Sequence, residues 1–150
     1  MAEFDLRPAM KEDFPAIKAL IHLVRINPTG LDWRRFLVAV SPQGEIVGCG
    51  QVKPQDELRV LASIAVVPGW RGRGVARAVI EALIARETGA LYLTCREHLG
   101  VFYDKFGFST LDGSDIPAHF RRMSRFVRLL HRLRLIDEGL LVMQRVSQPE

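Results

Sequence analysis

The segment with the clearest chemical potential is a turn rich in glycine and arginine, Arg71-Gly72-Arg73-Gly74-Val75-Ala76. An apolar run precedes it and helix-forming residues follow it, so we predict that a strand enters the turn and a helix leaves it. The first N–H groups of a helix have no partner within the helix, and the helix dipole adds positive charge there. Glycine at 72 and 74 lets the main chain approach a bound oxygen, because no Cβ intervenes. The turn is therefore predicted to bind phosphate, with Arg71 and Arg73 adding charge.

Two other nucleotide motifs share these features and fail on spacing. A dinucleotide fingerprint requires a third small residue at position 77, where Arg77 stands. A Walker A loop ends in Gly-Lys followed by Ser or Thr, and that trio does not occur in the sequence. A kinase, an ATPase or a dinucleotide-dependent enzyme is therefore disfavoured. A lone Gly-x-Gly often serves only as a tight connection with solvated arginines, so a second motif is needed to decide.

The longer segment Ile64–Ala76 resembles the signature of the GNAT superfamily of N-acetyltransferases, whose turn reads Arg/Gln-x-x-Gly-x-Gly/Ala. A second block, Phe102-Tyr103-Asp104-Lys105-Phe106-Gly107-Phe108, also matches and lies at the distance at which that family places it. The resemblance covers roughly residues 5 to 111 and the last strand. It implies acetyl-CoA as the cofactor, with these binding residues: Ile64, Ala65, Val66, Val67, Arg71, Gly72, Arg73, Gly74, Val75, Ala76, Arg77, Phe102, Tyr103 and Lys105.

The resemblance also implies a fold and part of a mechanism. The fold is α+β (an α/β mixed sheet), GNAT acyl-CoA N-acyltransferase-like, with a mostly antiparallel sheet flanked by helices. In it, the strand ending at Val67 splays from the strand ending at Cys95, which leaves backbone groups near Val66 and Val67 for pantetheine and an N–H to polarise the acetyl carbonyl. Tyr103 matches the tyrosine that relatives use as a general acid toward the departing thiolate. The alternative is that Tyr103 simply packs in its apolar block, with its hydroxyl on a carbonyl.

The general base is left unassigned by the sequence. Many relatives carry a glutamate eleven residues ahead of the motif's arginine, where this chain has Val60. Glu57, Glu97 and His98 are candidates, and each is also explained as a solvated surface residue. An acceptor amine of low pKa would need no base, since positioning alone then supplies much of the rate.

Upstream of the turn, the pattern predicts one helix among four strands. The expected strands are Phe4–Arg7, Arg35–Val40, Glu45–Val52 and Leu58–Val67, and Ser41-Pro42-Gln43-Gly44 joins the second and third as a hairpin. Glu12 and Asp13 suit the helix start, and Asn27-Pro28-Thr29-Gly30 ends the helix. Its apolar face consists of Ile17, Leu20, Ile21 and Val24.

Downstream of the turn, we predict a helix over Val75–Glu87, ended by Gly89. A strand over Ala90–Cys95, a short helix around Leu99–Phe106, a strand beginning near Phe108 and a final strand over Leu140–Val146 follow. One face of the first helix is expected to contain Val75, Val79, Ala82, Leu83 and Arg86.

A further helix is predicted from about Ala118 to Leu135, inside a segment from Ile116 to Ile136 that has six arginines and no acidic residue. One side is apolar, with Phe120, Met123, Phe126, Val127, Leu130 and Leu133. The opposite side has an arginine stripe, defined as Arg121, Arg125, Arg128 and Arg132. An anionic partner would offset the repulsion within this stripe, and a solvated face is the plainer explanation.

The strand end at Cys95 and the polar segment after Phe108 give a weaker likeness to the acetyltransferase domain of bacterial N-acetylglutamate synthases. That likeness implies that Arg96 and Arg121 clamp a substrate carboxylate, for which guanidinium geometry is suited. Glu57 is a further candidate near the substrate. A protein amino terminus, a polyamine, another small amine, nucleic acid or an acidic partner chain remain alternatives for the acceptor or for the stripe.

The bulk composition sets the remaining expectations. A chain of 150 residues with 48% hydrophobic residues fits a single N-acetyltransferase domain over residues 1–150. No apolar run is long enough to cross a bilayer, and Met1 to Arg7 lack the order of a secretion signal, so a cytoplasmic protein without a membrane partner is expected. Cys49 and Cys95 lie in strand-like runs, which indicates reduced, buried thiols and no metal site. The net charge of +4 and the absence of a helix-turn-helix or zinc motif make nucleic acid an unlikely partner.

Together these features predict an N-acetyltransferase that moves the acetyl group of acetyl-CoA directly to a primary amine. The acceptor would be a small molecule such as an amino acid, or a peptide N-terminus. The alternative is a non-catalytic CoA-binding sensor or scaffold whose arginine-rich helix contacts an acidic partner. A homodimer is left open.

Overall fold

The computed structural model describes residues 3–146, which form seven strands and four α-helices. Most of the expected elements are confirmed, with ends that shift by one to three residues. The strands are β1 (Asp5–Pro8), β2 (Phe36–Val40), β3 (Ile46–Gln55), β4 (Leu58–Val66), β5 (Leu91–Arg96), β6 (Ser109–Thr110) and β7 (Leu140–Arg145). The helices are α1 (Phe14–Leu23), α2 (Val75–Ala85), α3 (Gly100–Asp104) and α4 (Ala118–Arg132).

The strands form one mixed sheet in the order β1-β2-β3-β4-β5-β7-β6. The pairs β1–β2, β2–β3, β5–β7 and β6–β7 are antiparallel, whereas β4 and β5 are parallel. The parallel ladder joins Val60 to Tyr92, near the beginning of both strands. The predicted mixed α+β sheet with flanking helices is therefore confirmed.

The described residues divide into two compact units. The first unit contains the residues up to Lys53 together with Leu61–Glu87, and the second contains Pro54–Val60 together with the residues from Thr88 onwards. The expectation of a single domain over residues 1–150 stays a prediction.

The beginning of α1 in the first unit is held by a buried carboxylate. Asp13 accepts two hydrogen bonds from the Arg7 guanidinium, at 2.7 and 3.1 Å, and one from the Met10 N–H at 2.7 Å. The bonds from Arg7 and Met10 lower the pKa of Asp13, against the opposing effect of burial. Behind it lies an apolar cluster that includes Ile17, Leu20, Ile21, Phe36, Val38, Cys49 and Ala65.

Helix α2 packs closely against β3 because β3 has glycine where the two elements meet. A Cβ at Gly48 would collide with Val75, and a Cβ at Gly50 would lie 2.8 Å from Val79 and would also press on Ile64. The buried residues of α2 are Val75, Val79, Ile80 and Leu83. The periodicity placed Arg86 on this face, but Arg86 is exposed, since it caps the helix end and its guanidinium favours water. Ile80, which the prediction left out, is buried.

The core of the second unit lies along β5 and β7, which pair over their full length from Leu91 opposite Arg145 to Arg96 opposite Leu140. Its buried residues include Leu91, Leu93, Phe108, Ile116, Phe120, Val142 and Met143.

Helix α4 corrects two expectations. It ends at Arg132, three residues before Leu135, because the chain turns at Arg134 with a positive φ of 60°. The predicted apolar side is largely in water: Phe120 is buried and Val127 and Leu130 are half-buried, but Met123, Phe126 and Leu133 are exposed, Phe126 by 59%. Periodicity identified an amphipathic helix correctly, but it does not say whether a neighbouring element covers the whole face. No helix within residues 3–146 is long and apolar enough to span a membrane.

Candidate active site

The glycine turn has the geometry that its composition predicts. After β4, one tight turn over Pro68–Trp70 leads to Gly72 and Gly74, whose φ angles are 78° and 82°. These left-handed values favour glycine, because a Cβ would crowd the following carbonyl. Gly74 is the N-cap of α2, and space around an added Cβ is open at both glycines. The turn therefore leaves room beside the main chain for a ligand.

Consecutive N–H groups of the turn and of the start of α2 have no recorded partner within residues 3–146. Within the described chain, the first recorded bond of α2 is the 3.0 Å bond from the Ala78 N–H to the Gly74 carbonyl, and none occupies the backbone N–H groups from Gly72 to Arg77. Such a row of N–H groups at a helix start is an anion-binding arrangement. The residues present thus fit a diphosphate such as that of coenzyme A.

Two arginines at the turn, Arg73 and Arg77, have ion-pair partners that the sequence did not reveal. The Arg73 guanidinium lies 4.7 Å from the centre of the Trp70 ring and 3.2 Å from the Glu3 carboxylate. Arg77 pairs along the helix with Glu81 at 2.9 Å, on the exposed surface. Both side chains thus have ion-pair partners on the exposed surface, whereas the main-chain N–H groups of the turn have none recorded within residues 3–146.

The end of β4 narrows the set of backbone donors. The Val67 N–H donates to the Val47 carbonyl at 2.9 Å, so this group is engaged in the sheet. The expectation that it would be free for a ligand is therefore wrong. Successive N–H groups in a strand point to opposite sides, so that of Val66 points away from β3. Ala65 is buried, and Ile64 and Val66 are half-buried. Val66 remains as the candidate donor to the acetyl carbonyl.

The comparison with family models is decisive for the chain's family. The model of the acetyltransferase (GNAT) domain matches residues 32–110, which is more than half of the chain. The chain belongs to the GNAT acetyltransferase family. It is accordingly an acetyl-CoA-dependent N-acetyltransferase, and the expected family, enzyme class and cofactor are confirmed. No curated protein sequence matches the chain.

Solved structures share the fold of this GNAT chain. Rv2747 from Mycobacterium tuberculosis, in complex with CoA and NLQ, is 24% identical with a TM-score of 0.72, covering 96% of this chain and 99% of that one. N-acetylglutamate synthase from Neisseria gonorrhoeae, complexed with coenzyme A and L-arginine, is 20% identical with a TM-score of 0.73, covering 99% of this chain and 34% of that one. Escherichia coli ElaA is 15% identical with a TM-score of 0.68, covering 95% of this chain and 99% of that one. This GNAT chain spans about a third of the synthase, and identities this low show the fold alone.

Tyr103, the candidate general acid of this GNAT chain, lies on α3 in an aromatic cluster of the second unit. Its ring meets Phe102 and Phe108 edge-on, at centroid distances of 5.1 and 6.2 Å. Burial, and to a lesser degree Cys95, raises the pKa of Tyr103 to about 12. No hydrogen bond to its hydroxyl is recorded within residues 3–146, so the expected alternative of a carbonyl partner is not found there. The phenol is protonated at neutral pH and has its donor unused.

The neighbouring residues of the second GNAT block have different surroundings. Phe102 packs edge-on against Phe106 at 5.3 Å and is half-buried, whereas Lys105 is exposed at the end of α3. Lys105 thus has the freedom to reach an anion, and Phe102 helps to hold Tyr103 in place.

Among the candidates for a general base, one has a partner that the sequence did not reveal. Val60 is buried, so the position of the family's glutamate carries no proton-accepting group, and Glu57 and Glu97 are exposed. The His98 Nδ1 lies 2.8 Å from one oxygen of Glu138, whose other oxygen accepts a 3.1 Å bond from the His98 N–H. These bonds are the largest cause of the lowered pKa of Glu138. No sequence signal links two residues forty positions apart, and the pairing of β5 with β7 brings them together.

The two arginines expected to clamp a carboxylate are not brought together by any recorded contact within residues 3–146. Arg96 is exposed at the end of β5. The Arg121 Nε donates to the Ile116 carbonyl at 3.0 Å, at the beginning of α4. Arg121 therefore has a structural partner at the start of the helix, and its assignment to substrate stays a prediction.

Proposed function

We propose that this enzyme transfers the acetyl group of acetyl-CoA directly to a primary amine of a small molecule or of a peptide N-terminus. The observation that carries the proposal is the row of unoccupied N–H groups from Gly72 to Arg77 at the start of α2. These groups would hold the diphosphate of the cofactor, which supplies the acetyl group as a thioester. The proposed binding set adds Ile64, Ala65, Val66, Val67, Arg71, Phe102, Tyr103 and Lys105.

Three residues, Val66, Tyr103 and His98, are assigned roles in the transfer. The Val66 N–H would donate to the acetyl oxygen as negative charge develops there. A bond then forms between the amine nitrogen and the acetyl carbon while the bond from carbon to sulfur breaks. Tyr103 would give its proton to the departing thiolate, because its phenol is fully protonated at neutral pH.

The proton released by the amine needs an acceptor, and we assign it to His98. The carboxylate of Glu138 accepts from Nδ1, which fixes the tautomer with Nε2 free to accept a proton. Glu57 and Glu97 have no comparable orienting partner among the described contacts. His98→Gln is expected to lower kcat about tenfold near neutral pH, with little change in the affinity for CoA. An unchanged kcat would leave the amine to lose its proton to water.

Thiol release from acetyl-CoA in the presence of pooled acceptors tests the reaction itself. The pools are free amino acids, amino acid amides, polyamines and short peptides, and mass spectrometry identifies the acetylated product. We expect thiol release well above the rate without acceptor in at least one pool. Equal rates with and without acceptor in every pool would reject the proposal.

A further inference from the structure

Lys53 is a largely buried lysine without a counter-ion among residues 3–146. It lies in β3 of the first unit and is 9% exposed. No hydrogen bond or ion pair to its Nζ is recorded among the described residues, although a lysine with so little exposure is ordinarily paired. Burial, followed by the positive charge of Arg35, lowers the pKa of Lys53. A group of this kind calls for an anion that the chain itself does not supply.

The nearest charged residues do not supply the negative charge that Lys53 lacks. Among the described residues, Arg35, whose charge acts on Lys53, has only a long ion pair to Asp32, at 3.8 Å. Asp32 also pairs with Arg34 at 3.5 Å. One carboxylate is thus shared between two guanidinium groups, and none is recorded on the lysine. The first unit therefore holds a net positive site at the end of β3.

A second unsatisfied group lies two residues away on the same face of β3. The side chain of Gln51 is fully buried, and its Nε2 donates to the Gly30 carbonyl at 3.2 Å and to the Ser63 hydroxyl at 2.9 Å. Its Oε1 has no hydrogen-bond partner. Because a carbonyl only accepts, Nε2 must face Gly30, and an exchange of the two amide atoms would not satisfy Oε1. The site lacks a donor as well as an anion.

Gly30 joins the two groups into one cluster, defined as Gly30, Arg35, Gln51, Lys53 and Ser63. The Lys53 Nζ would lie 3.0 Å from a Cβ at Gly30, whose carbonyl binds Gln51. Ser63 has a positive φ of 60°, a strained conformation for a non-glycine residue in a strand, and it directly precedes Ile64 of the proposed cofactor segment. Gly30 and Arg35 also line an open groove of about 500 Å³, together with Trp33.

We propose that this cluster binds the acetyl acceptor and that the acceptor is a free amino acid, whose carboxylate pairs with Lys53 and Arg35. An amino acid supplies the missing anion, since its carboxylate can pair with both Lys53 and Arg35. A polyamine would meet two like charges here, and a peptide N-terminus has an amide in place of the carboxylate. The inference rests on the acetyl transfer proposed above and names its substrate class.

The test compares each common amino acid with its own α-amide as acceptor, for the wild type and for Lys53→Met. We expect the wild type to prefer acids over amides at least about tenfold in kcat/KM. Lys53→Met should bring that ratio close to one through KM, with the KM for acetyl-CoA unchanged. The variant should melt at least as high as the wild type, because it removes an unpaired charge from a largely buried side chain.

Two further variants control the result. Lys18→Met removes an exposed lysine that lies over the Phe14 ring, and it should keep the preference for acids. Gln51→Glu places a carboxylate beside Lys53 with almost no change in volume, so it should remove the preference as Lys53→Met does, even if the methionine variant fails to fold.

The outcomes separate failure of this inference from failure of the proposed reaction. Equal rates for acids and amides in the wild type, or a preference that survives both variants, would overturn the carboxylate site while transfer stands. An equal fall of kcat for acids and amides in Lys53→Met would also overturn it, since the lysine would then act on the transfer. If no acceptor is acetylated, calorimetry with amino acids in the presence of CoA separates the two proposals. Binding of acids but not of amides would then support the carboxylate site while the reaction is rejected. No binding would reject both.

Discussion

Helices α2 and α4 offer different kinds of anion-binding group, since α2 follows the glycine turn and α4 contains the arginine stripe. At the start of α2 the main chain is open, while Arg73 and Arg77 are already paired with Glu3 and Glu81. At the start of α4 one N–H is already taken, since that of Phe120 donates to the Pro117 carbonyl at 2.9 Å. The glycine turn therefore depends on backbone geometry, and the arginine stripe of α4 depends on side-chain charge.

The two helices differ equally in how their apolar faces are used. The face of α2 is buried against glycine positions of β3, whereas much of the face of α4 lies in water. Equal periodicity thus gives a rigid platform in one case and an accessible surface in the other. Only a platform can hold a row of N–H groups steady for a ligand.

The largest expected effect tests the backbone half of this comparison. Gly74→Val should reduce the affinity for CoA at least about a thousandfold, or about 4 kcal/mol, because a branched side chain enters the space beside the N–H groups. Gly44→Val is the matched control, since Gly44 has a similar φ of 85° and similarly open surroundings in the turn before β3. Both variants should lose about 1–2 kcal/mol of stability, and only the first should lose affinity. If calorimetry shows that the two variants bind CoA with equal affinity, the row of N–H groups does not hold the diphosphate.

The next effect concerns the two apolar faces. Leu83→Ala in α2 should lower the free energy of unfolding by about 3 kcal/mol, because it opens a cavity at a fully buried position. Phe126→Ala in α4 should change it by less than about 0.5 kcal/mol, since that ring is mostly in water. Denaturant unfolding of both variants measures the difference. Similar losses would mean that α4 packs as firmly as α2.

A smaller effect tests the side-chain chemistry of the second unit. Tyr103→Phe should lower kcat at least about tenfold, or about 1.4 kcal/mol, because the thiolate then leaves without a proton. The active form is the protonated phenol, so activity due to it is present below a pKa of about 12 and is lost as the pH rises through that value. We expect no fall in kcat from this residue up to about pH 11. Full activity of the phenylalanine variant would reduce Tyr103 to a packing residue.

The smallest effect sharpens the comparison at the turn itself. Arg77→Ala should weaken CoA binding no more than about threefold, because its guanidinium pairs with Glu81 on the exposed surface and such pairs contribute little. Equilibrium binding of CoA measures this. A hundredfold loss of affinity for CoA would mean that the Arg77 side chain, and not the main chain, is the main binding group.

Much of this architecture is local in origin, which is why the sequence predicted it. The glycine turn, the breaks at Asn27–Gly30 and the strand lengths follow from residues next to one another in the chain, where backbone preferences act. The uncovered face of α4 could not be predicted in this way, because coverage depends on which distant element lies beside it. His98 with Glu138, and Gln51 with Ser63, are pairings across strands of the same kind.

The same limit applies within the candidate site. The motif fixed the place of the phosphate-binding turn, but not that the Val67 N–H would be taken by Val47 or that Arg121 would bond to Ile116. Lys53 gave no signal at all, since a lysine near the end of a strand is ordinarily solvated. Its burial becomes visible only when Gly30 and Arg35 of a distant loop are in place.

The burial of Cys95 affects whether its thiol can react with the thioester of the cofactor. Desolvation, with a contribution from Glu138, raises the pKa of its thiol to about 11, and Tyr103 lies within electrostatic reach of it. The thiol therefore stays protonated at neutral pH. Thioester exchange requires the thiolate, so the protein is protected from acetylating its own sulfur beside the proposed acid.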